Sequence, residues 1–131
     1  MKCKPLLIIL SSMLMQSAIA VSSRPEKCPS VASIAAVSVD SAGQGTHVWM
    51  AFPASSNYYD TKELWSFGIF VPASSREEAL ETAKASIKKM GSAGNPYHDD
   101  DTDSRKWACS YATYDANVTA FAFTPPIYIM K

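Results

Sequence analysis

The chain has 131 residues, 12 Lys plus Arg against 12 Asp plus Glu, a formal net charge of +0, and 47% hydrophobic residues. That size suits one domain with one modest core. A near-neutral chain lacks the cationic surface that drives phosphate-backbone binding, so nucleic acid is excluded as an expected partner.

The first element is a leader. Lys2 and Lys4 open it, Leu6 to Leu10 with Met13, Leu14 and Met15 form an apolar run, and Ala18-Ile19-Ala20 supplies a small-x-small cleavage pattern. These are the parts of a signal peptide over residues 1–20, leaving 21–131 as a single exported domain, periplasmic or secreted. The apolar run falls short of the ~20 residues that a spanning helix needs, so no stable membrane insertion is expected after cleavage. Cys3 lies ahead of the apolar run rather than at the cut site, which argues against a lipidated amino terminus.

Without the leader only Cys28 and Cys109 remain. In an oxidising compartment they have one intramolecular pairing, and a Cys28–Cys109 disulfide is predicted. The other reading makes both thiols metal or haem ligands, although no C-x-x-C-H attachment motif is present.

Residues 21–30 contain Pro25 and Pro29 and read as an exposed arm. Ser33–Val39, with Ile34, Val37 and Val39, reads as a first strand, and Asp40–Gly45 as a turn cluster. Thr46–Phe52 alternates as a second strand, with Val48, Met50 and Phe52 on one side and His47, Trp49 and Ala51 on the other. Pro53–Asp60 is a loop. Glu63–Val71 is a third strand, on which Trp65, Phe67, Ile69 and Val71 alternate with smaller residues and Phe70.

Ser75-Arg76-Glu77-Glu78 has the form of a capping box. The helix it opens places Glu77, Glu78 and Glu81 early and Lys84, Lys88 and Lys89 late, which complements the helix dipole. Leu80, Ala83, Ile87 and Met90 make its apolar stripe, and Gly91 is expected to end it in a left-handed conformation. Residues 92–106 read as a polar loop. Trp107–Thr113 and Val118–Thr124 read as the last two strands, separated by a turn at Asp115–Asn117. Pro125-Pro126 stops the last one, and 127–130 suits an edge segment. The expected fold is α+β: an antiparallel sheet of about five strands with one helix packed on one face, in β-β-β-α-β-β order.

The densest charge cluster is His98-Asp99-Asp100-Asp101-Thr102-Asp103. Asp99, Asp101 and Asp103 have the one-three-five spacing of a calcium loop, but the sixth position is Ser104 and the twelfth is Ser110, where glycine and glutamate are wanted. It reads as a solvated acidic loop, and no metal site is expected. His47 and His98 are the only histidines. Either imidazole suits haem iron. Tyr58 and Tyr59, beside Asn57, suit contact with a planar ligand or a protein partner. Trp49, Trp65, Trp107, Phe121 and Phe123 read as core anchors. No G-x-S-x-G, H-E-x-x-H or glycine-rich phosphate loop occurs, so no catalytic residue is assigned and the chain is read as a non-enzyme.

Some short stretches carry a family pattern. They are Cys28-Pro29-Ser30-Val31-Ala32-Ser33-Ile34, Tyr59-Asp60-Thr61 ahead of Trp65-Ser66-Phe67, and Ala73-Ser74-Ser75 before an alanine-rich helix. Trp107-Ala108-Cys109-Ser110-Tyr111 and Thr124-Pro125-Pro126-Ile127 complete the set. In these the chain resembles a family of small secreted bacterial proteins, found in Legionella-type organisms, that includes a hemin-binding protein. The resemblance implies an exported, disulfide-bonded domain that binds haem in the service of iron acquisition; it names no iron ligand. The expected function is that of an exported non-enzymatic binding protein for hemin, with His47, Tyr58, Tyr59 and His98 as ligand-binding candidates and haem as the cofactor that fits. The alternative is a secreted module that docks on a protein partner through Tyr58 and Tyr59.

Overall fold

The structure is a computed structural model that describes residues 23–98 and 106–126. The leader, the acidic run 99–103 and the segment 127–130 lie outside the described residues. The elements in chain order are α1 (Val31–Val37), β1 (Ser41–Gln44), β2 (Trp49–Phe52), β3 (Ser66–Val71), α2 (Arg76–Lys88), β4 (Gly91–Ala93), β5 (Tyr97–His98), β6 (Trp107–Ala112) and β7 (Thr119–Thr124).

The strands form one seven-stranded antiparallel sheet in the order β1-β2-β3-β7-β6-β4, with β5 also paired to β6. The expectation of about five strands, one helix and a β-β-β-α-β-β order is therefore corrected. The chain has two short helices, and its sheet is wider by two strands.

The first strand expected at Ser33–Val39 is instead α1. Its β-branched residues were outweighed by Ala32, Ala35 and Ala36 and by a cap: the Ser33 N–H donates to the Ser30 hydroxyl at 3.1 Å. Ser38, at φ 65°, ends the helix. The turn cluster that follows is β1, held in register by Ser41 opposite Phe52 and Gln44 opposite Trp49. Strands β4 and β5 occupy part of the expected loop 92–106. The first is three small residues and the second only the two residues Tyr97 and His98, so neither shows an alternation, and the partner strand β6 supplies the pairing.

Helix α2 starts as expected, with the Glu78 N–H donating to the Ser75 hydroxyl at 3.1 Å. Its buried residues are Ala79, Ala83 and Ile87; Leu80 is only half-buried, and Met90 is buried just beyond the helix. Gly91 does not take a left-handed conformation. It opens β4, where an added Cβ would sit 3.1 Å from the Ala112 Cβ, so glycine lets β4 approach β6.

The core lies on one face of the sheet. Phe67, Ile69, Ala120, Ala122 and Tyr111 meet Ala83 and Ile87 of α2 and Ile34 of α1 there. The register fixes the remainder. Phe121 lies opposite Gly68 and Phe123 opposite Ser66, so these two phenylalanines point away from the helices, and Ala120 and Ala122 face them. The expectation of Phe121 and Phe123 as core anchors is corrected accordingly. Trp65 is fully buried, Trp107 is 9% exposed, and Trp49 is half-buried.

Candidate functional site

The arm before α1 is pinned at several points. Cys28 and Cys109 form a disulfide, so neither thiol is a metal or haem ligand. The buried Tyr111 hydroxyl donates to the Pro29 carbonyl at 2.6 Å, and Lys27 pairs with Asp60 at 3.2 Å. Asp60 also accepts from the Ser30 N–H at 2.9 Å and the Ser33 hydroxyl at 3.0 Å. The Ser30 N–H is the main reason its carboxyl is held well below the usual carboxylate range, with Ser30, Lys27 and Ser33 side chains adding to it. This loop is a structural clamp between the arm and β3: Asn57 bridges to Trp65, and the Trp65 indole N–H donates to the Thr61 hydroxyl at 2.8 Å.

The expected tyrosine pair divides within this clamp. Tyr58 is 58% exposed, whereas Tyr59 turns inward at φ 55° and packs against the core. Burial pushes the Tyr59 hydroxyl up to about 12, an effect offset in part by nearby Asn57, which does not reach hydrogen-bonding geometry. Burial also raises Tyr111 strongly, with Tyr59 and Asp60 adding to it. Only Tyr58 is therefore placed to touch a ligand.

The two histidines are at opposite ends of the sheet. His47, at φ 70°, sits in the β1–β2 turn, next to the strand end where Trp49 opposes Val71. His98 pairs with Trp107, which opposes Thr124, one residue beyond the Phe123–Ser66 pair at the other end of β3. The two histidines therefore do not share a site, and among the described residues no cluster of three His, Cys, Asp or Glu could hold a metal ion.

The His98 end has its own construction. The imidazole packs edge-on against the Trp107 indole with ring centroids 3.9 Å apart, and the Arg24 guanidinium lies 6.0 Å from that ring. Beside them Pro25, Leu64, Trp107, Pro125 and Pro126 line a largely apolar slot of about 290 Å³. Its size is at the low end for a small-molecule site, which admits one edge of a planar ligand rather than enclosing it. The sequence marks His98 but not the groups gathered around Trp107, which are Arg24 and the slot residues Pro25, Leu64, Pro125 and Pro126; His98 touches Trp107 and is not among the residues that line the slot. Nothing in their spacing brings them together; the β5–β6 pairing and the return of the arm do.

A second surface lies on the sheet face away from the helices. Phe70 and Phe121 are 5.3 Å apart by ring centroid, and Phe121 and Phe123 are 5.0 Å apart. All three are half-buried. The Met50 sulfur and the Phe121 ring close over Gly68, at 3.3 and 3.5 Å from where its Cβ would be.

No curated protein and no solved structure matches this chain. A family model does match it, over residues 27–129, from just ahead of the bonded Cys28 to beyond the closing prolines. By that match, the chain belongs to the family described as Domain of unknown function (DUF4949).

Proposed function

We propose that this chain is an exported, non-enzymatic binding protein whose ligand is hemin, held at the Trp107 end of the sheet. The observation that carries this reading is the His98 imidazole against Trp107, with an apolar slot and the Arg24 cation beside it. Haem iron takes an axial imidazole, its macrocycle favours apolar and aromatic surface, and its propionates pair with a guanidinium. Each of these demands has one residue or surface at this end. His47 and Tyr59 have no part in it, one being remote and the other turned into the core.

Export is supported by the leader pattern. The Cys28–Cys109 bond is compatible with it, as is the fact that, among the described residues, no helix is long and apolar enough to cross a membrane. A native product whose mass corresponds to residues 21–131 with no free thiol is the expected result.

The ligand is tested by titrating the native protein with hemin and recording the Soret band. A saturable shift at micromolar protein is expected, abolished in His98→Ala, weakened several-fold in Arg24→Ala, and unchanged in His47→Ala. No saturable shift, or one that survives His98→Ala, overturns the assignment.

A further inference from the structure

We propose that the face of the sheet opposite the helices is the interface of a homodimer, formed by two copies packing face to face into a β-sandwich. An antiparallel sheet with one solvated face carries polar and charged residues there. Here none of the seven strands contains an Asp, Glu, Lys or Arg. The outward positions hold Met50, Phe70, Phe121 and Phe123, all half-buried within one copy, beside the uncharged Ser66, Ser110 and Thr119. Neither helix packs on this face, because both contribute to the core on the other side.

The uncharged chemistry of the face favours a second copy over a charged partner. Phe70, Phe121 and Phe123 form a ridge along β3 and β7. On the neighbouring strand the outward residues Ala108, Ser110 and Ala112 are small, and Tyr97 of β5, 48% exposed, extends the aromatic surface over them with its hydroxyl 2.8 Å from the Ser110 hydroxyl. A C2 interface sets one patch against its own image, and an uncharged aromatic patch meets that demand. No charge opposes its own image across that axis. Two sheets joined this way lie about 10 Å apart with their strands about 30° off parallel.

The area is adequate. Taking strand spacing and rise from ordinary sheet geometry, the six strands of the main path present about 500 Å² of projected surface per copy, and pleated aromatic side chains present more. Two copies together reach the roughly 1,000 Å² that a specific interface must clear. This inference is independent of hemin, whose proposed slot lies at the end of the sheet.

Sedimentation equilibrium of the natively exported protein between about 1 and 100 µM tests it. A reversible dimer is expected. Phe121→Lys, which places like charges on the ridge, is expected to weaken dimerisation at least tenfold. Thr119→Arg, at an exposed outward position opposite Phe70, is expected to do the same by setting like charges against each other across the axis. His98→Ala is expected to leave the mass distribution unchanged. A wild-type monomer at 100 µM overturns the proposal, as does a dimer indifferent to both variants. A monomer in which Phe121→Lys abolishes binding of hemin or of lipid vesicles also overturns it, and reassigns the face to that occupant.

Discussion

Asp60 shows how much one side chain can organise in a domain this small. Its carboxylate joins the arm through Lys27, the start of α1 through Ser30 and Ser33, and the loop that carries its own backbone. These donors favour the charged form, so its pKa is lowered on folding. A lowered carboxylate stabilises the folded state above its unfolded pKa of about 4, and that contribution fades as pH falls toward the folded value. Its side chain is 37% exposed, so solvent screens part of the effect. Asp60→Asn is expected to cost about 1 kcal/mol at pH 7, the worth of a few partly exposed hydrogen bonds, and less at pH 3. Urea midpoints at the two pH values check this: wild type loses stability between them, and the variant loses less. Tyr59 and Tyr111 act at the other end of the scale. Both are raised by burial, so the stability they contribute is full below the unfolded value of about 10 and is lost as pH rises through the folded value.

At the scale of elements, the β1–β2 turn separates a ligand from a backbone role for His47. The Gly45 N–H donates to the Val48 carbonyl at 2.7 Å, which closes the turn and leaves His47 at φ 70°. A non-glycine residue there is held against its own preference. His47→Gly is expected to raise the thermal midpoint slightly, by relief on the order of 0.5–1 kcal/mol, and to leave hemin binding untouched. A residue that ligated iron would show the reverse. The same turn marks how far the sequence was readable. Helix α2 was legible because Ser75 and Glu78 encode its start locally, and β3, β6 and β7 because their alternation is strong. Strand β1 was not legible, since Ser41-Ala42-Gly43-Gln44 is strand only by virtue of its partner β2. Helix α1 was lost because Ile34, Val37 and Val39 suit a strand as well, and part of what holds its start comes from Asp60 in a distant loop. The inward and outward faces of β7 were separated correctly as small and large, then assigned the wrong way round. Aromatic size argues for the core, but the core side of β7 offers room for Ala120 and Ala122. Of the site, His98 was legible by residue type alone, and the groups gathered around Trp107 were not.

At the scale of the whole molecule, one covalent bond joins the beginning of the described chain to the strand near its end. Cys28 and Cys109 are 81 positions apart in sequence, so their bond restricts the unfolded chain far more than it alters the folded one. Closing a loop of that length stabilises by on the order of 4 kcal/mol on the chain-entropy model. That is a large share of the roughly 5–15 kcal/mol available to a small domain. The non-covalent pins on the same arm cannot substitute for it. The Tyr111–Pro29 hydrogen bond contributes about 1 kcal/mol net, and the Lys27–Asp60 and Lys62–Glu26 pairs are at the surface and contribute less. Reduction is therefore expected to lower the urea midpoint sharply, and Cys28→Ser with Cys109→Ser to reproduce the reduced protein without any reductant. The arm then has only weak contacts to hold Pro25 and Arg24 beside Trp107, so the same double variant is expected to bind hemin several-fold more weakly even where it stays folded. Urea curves and Soret titrations run on one preparation separate the two effects. An unchanged midpoint after reduction rules out the bond as the main staple, and an unchanged hemin affinity in the folded double variant rules out the arm as a wall of the site.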